Sequence, residues 1–249
     1  MKGLLLAAGQ GTRLRPLTDD RPKPMVDIAG EPAIAHELRW LRQQGICDLA
    51  INLHYRPGVL EQFVGDGSRF GVRVTYSLET EILGTAGALR PLLPFFRGEW
   101  AFIVLYGDVL TDLDLASVLE AHATSGADAT IVLTPADDPT RAGIVAFDET
   151  HRITRMVEKP APSEVFSTWA NAGVYVCGPA VLEYVAAGKA QDFAGELFPA
   201  MLRAGRHLRA APTDAVVVDF GSMERLEVAR GLFGAPASVG QAGGREATC

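Results

Sequence analysis

Glycines and cations follow the first apolar run of the chain. Gly9 and Gly11 come directly after residues 4–8, and Arg13 and Lys23 follow soon afterwards. Because glycine has no Cβ, backbone N–H groups in such a loop can approach a polyphosphate closely. Arg and Lys can then neutralise its charge. The pattern predicts a phosphate-binding loop, and the alternative is a glycine turn that serves only the backbone conformation.

Two better-known phosphate loops do not fit this segment. A P-loop needs four residues between its glycines and then Gly-Lys-Ser/Thr, which residues 9–14 do not offer. A dinucleotide fingerprint needs a third glycine where Leu14 stands, and Pro16 interrupts the helix that should follow. The broken fingerprint also disfavours a dinucleotide-dependent oxidoreductase.

Two aspartates stand at the ends of apolar runs later in the chain. Asp108 comes soon after residues 101–105, and Asp219 directly follows residues 215–218. Ligands of open α/β sheets bind at the carboxyl ends of the strands. Mg²⁺ typically takes one or two carboxylates and completes its shell with phosphate oxygens and water. The placement predicts that Asp108 and Asp219 share one Mg²⁺; alternatively, each is a turn residue or a helix N-cap.

The chain contains few lysines, and its other basic side chains are arginine or histidine. The four lysines are Lys2, Lys23, Lys159 and Lys189. Lys23 and Lys159 each stand beside proline, and a compact ammonium suits a crowded phosphate better than a planar guanidinium. This usage favours phosphate contacts at both positions, although a sample of four also allows chance.

The elements that position these residues alternate between short apolar runs and amphipathic stretches. This rhythm predicts βα units on a mostly parallel sheet up to about residue 134. Residues 144–147, 153–158 and 171–177 then read as strands without intervening helices, which predicts an antiparallel or crossing layer. A helix is expected over residues 86–93 and a last helix over 222–233. Residues 234–249 are rich in Gly, Ala and Ser and are predicted to be a disordered tail.

Composition limits the classes of function. The chain has 249 residues, 48% of them hydrophobic, which suits one catalytic domain, and its net charge of -7 disfavours nucleic acid or an anionic membrane as partner. No apolar stretch reaches the roughly 20 residues of a membrane span. The three cysteines and five histidines are scattered without the spacing of a zinc site, so we expect a cytoplasmic protein without a transition metal.

The motif Gly9-x-Gly11-Thr12-Arg13-Leu14-x-Pro16, followed by Pro22-Lys23-Pro24, resembles the signature of the sugar-1-phosphate nucleotidylyltransferase family, also called nucleotide-sugar pyrophosphorylases. The resemblance covers residues 2 to about 233. Its further segments are Leu83-Gly84-Thr85-Ala86-Gly87, Gly107-Asp108, Glu158-Lys159-Pro160, Asn171-Ala172-Gly173 and Asp219-x-Gly221. It implies a three-layer, Rossmann-like α/β fold with a mostly parallel sheet and a smaller antiparallel layer, in one catalytic domain of residues 1–233.

The resemblance also implies roles for individual residues. Nucleotide binding falls to Leu6, Ala8, Gly9, Gly11, Thr12, Gly84, Thr85, Gly87 and Gly107. Within this set, residues 83–87 resemble the family's base-binding segment. Catalysis falls to Arg13, Lys23 and Asp108, metal binding to Asp108 and Asp219, and sugar-phosphate binding to Gly143, Glu158, Lys159 and Asn171. Asp192 and Glu196 resemble a helix-capping segment and are left outside the core site.

The expected reaction joins a nucleoside triphosphate to a sugar 1-phosphate and releases pyrophosphate. The attacking phosphate oxygen is already ionised at neutral pH, so catalysis consists mainly of positioning and charge stabilisation. The resemblance favours GTP and a mannose- or heptose-like sugar 1-phosphate. A uridylyltransferase for another sugar 1-phosphate and a catalytically silent nucleotide-sugar sensor are the alternatives. Whether the protein acts as a monomer or a homodimer is left open.

Overall fold

The computed structural model describes residues 1–234. The predicted tail therefore lies outside the described residues, except for Gly234. The strands are, in chain order, β1 Lys2–Leu6, β2 Asp27–Ile28, β3 Glu31–Pro32, β4 Asp48–Leu53, β5 Arg73–Leu78, β6 Phe102–Tyr106, β7 Val109–Thr111, β8 Ala129–Pro135, β9 Gly143–Phe147, β10 Ile153–Glu158, β11 Trp169–Cys177, β12 Leu208–Pro212 and β13 Val217–Asp219.

Eight α-helices are present in the described part, several of them a single turn. They are α1 Ala33–Gln43, α2 Pro57–Val64, α3 Gly84–Gly87, α4 Leu93–Phe96, α5 Leu115–Ser125, α6 Ala180–Glu183, α7 Phe198–Arg203 and α8 Met223–Phe233. The caps follow from the sequence. The side chain of Asp114 accepts from Ala116 N at the start of α5, and Gly45 adopts φ 77° just beyond α1. No helix of residues 1–234 has the length and apolarity to cross a membrane.

The first of two compact units contains residues 1–80, 106–112 and 216–234. Its parallel ladder pairs β1 with β4 and β4 with β5. Leu4, Leu5 and Ile51 are fully buried. Strands of parallel sheets are covered on both faces and read as continuous apolar runs, which explains why these segments could be recognised in the sequence.

Strands β7 and β13 form a separate antiparallel pair in the same unit. Asp219 lies opposite Val109, and Phe220 N donates to Asp108 O at 2.9 Å. Asp219 therefore ends a short antiparallel strand rather than a strand of the parallel ladder. This pairing places Asp108 and Asp219 on neighbouring chain segments. An apolar cluster packs beneath them; it includes Leu14, Leu110, Val218, Phe220 and Leu226.

The second unit contains residues 81–105 and 113–215. Strand β11 pairs antiparallel with β6, β8 and β9, and β9 pairs antiparallel with β10. The predicted antiparallel layer is thus confirmed. The parallel pairing of β12 with β8 was missed. Together the two units confirm the prediction of a Rossmann-like α/β fold with both parallel and antiparallel strands.

The predicted helix over residues 86–93 is wrong. The chain instead makes the single helical turn α3, continues through turns, and resumes as α4. Gly84 enters this segment at φ 78°, and Pro91 and Pro94 interrupt the backbone hydrogen bonding that a continuous helix would need. The apolar period of the sequence reflects burial of Ala86, Ala88 and Leu89 in turns.

Candidate functional site

The first loop leaves backbone donors available. Leu6 ends β1, Ala8 is buried, and Gly9 is exposed. Among the described residues, the N–H groups of Gly9, Gly11 and Thr12 donate no hydrogen bond. These donors point to a loop that can accept an anion.

Glycine is required at position 11. Its φ is 65°, and a Cβ there would lie 3.0 Å from Thr18 Cγ2 and 3.1 Å from Lys23 Cβ. Thr18 Oγ1 donates to Gly11 O at 2.8 Å, which holds the loop closed behind the turn. The backbone of residue 11 can therefore approach Lys23 only because no side chain intervenes.

Lys23 connects the loop to the first predicted metal ligand. Lys23 is only 9% exposed. Its ammonium donates to the carboxylate of Asp108 and lies 5.6 Å from the centroid of the Phe220 ring. Gly107, just before Asp108, donates its N–H to Leu6 O at 2.9 Å. A Cβ on Gly107 would collide with that carbonyl, so glycine is needed for this approach.

Asp219 is also held by a cation. Its Oδ2 lies 3.2 Å from Nε of Arg225 in α8, and its Oδ1 accepts from Gly221 N at 3.2 Å. Ser222 caps α8 by accepting from Arg225 N at 3.3 Å. The short segment between β13 and α8 thus fixes the direction of the Asp219 carboxylate.

Gly221 lies at the centre of these charged groups. A Cβ on it would stand 2.9 Å from Arg13 Nη2, 3.2 Å from Asp219 Oδ1 and 3.2 Å from Lys23 Nζ. Three charged groups therefore converge on one position that only glycine leaves empty. We call Arg13, Lys23, Asp108 and Asp219 the charge cluster.

The charge cluster fits a divalent metal ion. Within residues 1–234 no group of three or more His, Cys, Asp or Glu side chains could hold a metal. Mg²⁺, however, needs only one or two carboxylates when phosphate and water supply the other oxygens. Asp108 and Asp219 lie on adjacent chain segments and could supply two carboxylates of this kind.

One buried carboxylate near the charge cluster was missed. Glu37 lies on the buried face of α1, is 1% exposed, and neither of its oxygens has a hydrogen-bond partner in the described part. Burial raises the pKa of Glu37 well above its usual value. The charge of Asp108 adds to the rise, and that of Lys23 opposes it. The signal was available in the sequence, because residue 37 falls on the apolar face of a helix beside Ile34 and Leu38.

The predicted base-binding segment lies in the second unit. Gly84 has φ 78°, and a Cβ there would stand 2.5 Å from Gln191 O. The N–H groups of Ala86 and Gly87 donate to that carbonyl at 2.9 and 3.0 Å. Thr85 donates from its N–H and its hydroxyl to Asp192 Oδ1, at 3.0 and 3.1 Å. Gly84, Thr85 and Gly87 are therefore packed directly onto residues 191–192.

Three of the predicted sugar-phosphate residues are brought together. Glu158 ends β10 directly opposite Gly143 of β9. A Cβ on Gly143 would lie 2.5 Å from Glu158 Oε2 and 3.7 Å from Asn171 Cβ. Glycine at 143 therefore leaves room for the Glu158 carboxylate beside Asn171.

Asn171 lies in an irregular part of β11. The strand's register with β8 shifts between Asn171 and Tyr175, and Asn171 Nδ2 donates to the Tyr175 hydroxyl at 2.7 Å. Its Oδ1 accepts from Gly173 N at 3.0 Å. Because bulges redirect side chains, the irregularity fixes where the amide points.

Lys159 is the most accessible residue of this group. Its side chain is 67% exposed, and Nζ lies 3.5 Å from Glu158 Oε1. The backbone adopts φ 47°, which is uncommon for a residue with a Cβ, and its N–H donates to Ala142 O at 3.0 Å. Strained backbone of this kind is often found at functional sites.

Taken together, these features define an α/β protein with a glycine loop, two convergent cations and a pair of carboxylates. A sequence model described as Nucleotidyl transferase matches residues 2–230, and the chain belongs to this family. Members of the family generally use a divalent metal ion.

Two curated relatives and one solved structure illustrate the similarity. A UTP–glucose-1-phosphate uridylyltransferase from Synechocystis sp. is 38% identical over 237 residues, 90% of this chain and 61% of the relative. A mannose-1-phosphate guanyltransferase from Gibberella zeae is 37% identical over 207 residues, 82% of this chain and 56% of the relative. The chain thus spans less than two thirds of the length of these relatives. The crystal structure of HddC from Yersinia pseudotuberculosis complexed with GMP-PN is 27% identical, with a TM-score of 0.78 over 93% of this chain and 99% of that one.

Proposed function

We propose that the protein is a sugar-1-phosphate nucleotidylyltransferase that transfers a nucleotidyl group from a nucleoside triphosphate to a sugar 1-phosphate. The observation that carries the proposal is the convergence of Arg13, Lys23 and Asp219 on Gly221, with Asp108 paired to Lys23. A triphosphate is the ligand whose charge such a cluster suits, because it needs cations on its oxygens and carboxylates for its metal ion.

The glycine loop and its cations are assigned to the triphosphate. The N–H groups of Gly9, Gly11 and Thr12 donate to phosphate oxygens, and Arg13 and Lys23 neutralise charge. Asp108 and Asp219 would hold Mg²⁺, which would supply further neutralisation of the phosphate charge. In this assignment Lys23 exchanges its bond to Asp108 for one to a phosphate oxygen.

The reaction is a single in-line displacement. A phosphate oxygen of the sugar 1-phosphate attacks the α-phosphorus, and a new O–P bond forms as the bond from the α-phosphorus to the bridging oxygen breaks. Pyrophosphate leaves with that electron pair. The attacking oxygen carries no proton at neutral pH, so the protein needs no general base. Its task is to hold the groups in line and to screen their charges.

The acceptor is assigned to the residues around Gly143. Lys159 contributes a positive charge for the acceptor's phosphate, and Glu158 and Asn171 offer hydrogen bonds to sugar hydroxyls. The flexible, exposed ammonium of Lys159 beside Glu158 supports this division.

The favoured substrates are GTP and a mannose- or heptose-like sugar 1-phosphate. Several relatives that match this chain over 74–83% of its length at 36–40% identity are named as mannose-1-phosphate guanylyl- or guanyltransferases. The uridylyltransferase from Synechocystis keeps UTP with another sugar 1-phosphate as the second candidate.

The test is a matrix of nucleoside triphosphates against sugar 1-phosphates, scored by pyrophosphate release with Mg²⁺ present. We expect the highest kcat/KM for GTP with a mannose- or heptose-type acceptor. A higher value with UTP would replace the guanylyl assignment but keep the reaction class. Release with no pair at all, from folded protein, would leave the silent sensor as the better explanation.

A further inference from the structure

Asp192 has the position of a helix N-cap but does not act as one. It precedes the π-helical turn Phe193–Leu197, yet its side chain makes no capping hydrogen bond to that turn. Its Oδ1 instead accepts both donors of Thr85, 107 positions away in the chain. An Asp at an N-cap ordinarily bonds the free N–H groups of its own helix, so here the carboxylate serves another segment.

The contact is part of a larger set that holds α3 in place. Phe193 N donates to Thr85 Oγ1 at 3.0 Å, so the threonine hydroxyl both donates and accepts within the protein. Gln191 N donates to Leu83 O at 2.8 Å, and Gln191 O accepts from Ala86 and Gly87. The N–H groups of residues 85–87 are therefore all used by residues 191 and 192.

Gln191 is itself anchored from behind. It is 6% exposed; its Nε2 donates to Tyr184 O at 3.1 Å, and its Oε1 accepts from Ala186 N at 2.8 Å. The buried Gln191 side chain thus fixes the position of the carbonyl of residue 191. Asp192, next to it, is exposed and binds Thr85 through its side chain. Both donors of Thr85 are therefore already used within the protein.

We propose that Asp192 is a positioning residue that holds residues 83–87 in the conformation that receives the nucleotide base. The inference rests on the proposed function. Without the carboxylate, the N–H and the hydroxyl of Thr85 both lose their common acceptor, Asp192 Oδ1. The segment that begins at Gly84, with its positive φ, is then no longer held by Asp192. The effect should therefore fall on the triphosphate and spare the sugar phosphate.

The chain offers a matched control. Asp138 is also an exposed N-cap, and its Oδ1 also accepts from a threonine N–H and hydroxyl, those of Thr140, at 3.0 and 2.6 Å. That bond is local, two residues along the chain. Asp138→Ala removes the same chemistry without untying two distant segments.

The experiment combines kinetics with hydrogen exchange of the α3 amides. Since two hydrogen bonds to a charged acceptor are lost, Asp192→Ala should raise KM for GTP by about tenfold or more. KM for the sugar 1-phosphate and kcat should change by less than about twofold.

In Asp192→Ala, the amides of Thr85, Ala86 and Gly87 should exchange faster than in the parent. Asp192→Asn should retain most of the parent behaviour, because an amide oxygen can accept the same two bonds. Thr85→Val, which keeps the N–H bond to Asp192 and loses the hydroxyl bond, should raise KM for GTP and amide exchange in the same direction as Asp192→Ala but by less.

The outcomes separate this inference from the proposed function. Equal rises in both KM values, or an Asp192→Ala variant like Asp138→Ala in KM and in exchange, would overturn the positioning role. If the parent turns over no substrate pair, the proposed function fails. The positioning role of Asp192 is then tested by GTP binding, measured by calorimetry, together with amide exchange. Faster exchange with weaker GTP binding in Asp192→Ala supports the inference, and unchanged values overturn it.

Discussion

Lys23 and Asp108, 85 residues apart in the sequence, form an ion pair. The predicted phosphate cation therefore neutralises the predicted metal ligand. Both side chains are largely buried, at 11% and 26% exposed, and a buried charge without a partner is costly. The pair thus keeps both charges compensated. In the proposed function, a triphosphate and its metal ion would replace the two halves of this contact.

Asp108→Asn should keep the fold and lose most of the turnover. The amide still accepts from Lys23 but carries no charge for a metal ion, so kcat should fall by about 100-fold or more. Asp219→Asn should behave alike. Rates measured across a Mg²⁺ titration test this, with Asp20→Asn, which removes a surface carboxylate paired with Arg21, as control. Near-parent activity of Asp108→Asn at every Mg²⁺ concentration would contradict the metal assignment.

Gly221→Ala should damage the charge cluster directly. Its Cβ would stand 2.9–3.2 Å from Arg13, Asp219 and Lys23, so these groups must move apart. We expect a loss of at least about tenfold in kcat/KM with little change in thermal stability. Gly58→Ala in α2 is the control, because a Cβ there meets nothing within 4 Å. Equal kinetics of the two variants would count against the cluster as the reacting centre.

The two motif lysines should affect different substrates. Lys159→Ala should raise KM for the sugar 1-phosphate far more than for the triphosphate, and Lys23→Ala should impair triphosphate binding or turnover. Lys159→Arg should recover only part of the loss, because a guanidinium is wider and planar. Lys189→Ala, which removes an exposed partner of Glu196, is the control. Equal shifts of both KM values in Lys159→Ala would refute the division.

The stereochemistry at phosphorus should invert. No activated nucleophile lies beside the glycine loop in the described part, so we expect one displacement without a nucleotidyl-enzyme intermediate. The measurement is the configuration of the product from a chiral α-thiotriphosphate. Net retention would require two displacements and a covalent intermediate.

Glu37→Gln should stabilise the protein increasingly as pH rises. Because burial raises the folded-state pKa of Glu37 well above its usual value, its contribution to stability is full below that usual value and is lost as pH rises through the folded pKa. Glutamine does not titrate. The variant's advantage should therefore grow by up to about 1.4 kcal/mol per pH unit in that window.

Chemical denaturation at about pH 5 and about pH 8 measures this difference. Glu61→Gln, at an exposed position of α2, provides the control. An advantage of Glu37→Gln that is the same at both pH values would show that the carboxylate is not kept neutral by burial.

The first loop could be predicted from the sequence because its chemistry is local. The glycines, Arg13 and Lys23 lie within one short segment. Gly11 can adopt its positive φ because it has no Cβ, and the burial of β1 agrees with its apolar residues. The antiparallel strands β9 and β10 could also be predicted, because their apolar residues were bounded by polar turns. The region around Leu83–Gly87 could not, since its burial pattern imitates a helix.

The sequence alone determined which residues carry charge and where a glycine stands in place of a side chain, because those properties belong to single residues. Which of these positions tolerate only glycine was decided by the tertiary structure, since atoms that exclude a Cβ at Gly84, Gly107 and Gly221 belong to distant segments.

Only the tertiary structure decided which side chains contact one another. The β7–β13 pairing sets Asp108 beside Asp219, packing buries Glu37, and Thr85 bonds to Asp192 instead of remaining available. These contacts join segments far apart in the chain, and they form because burying apolar surface brings the segments together whatever their separation in sequence.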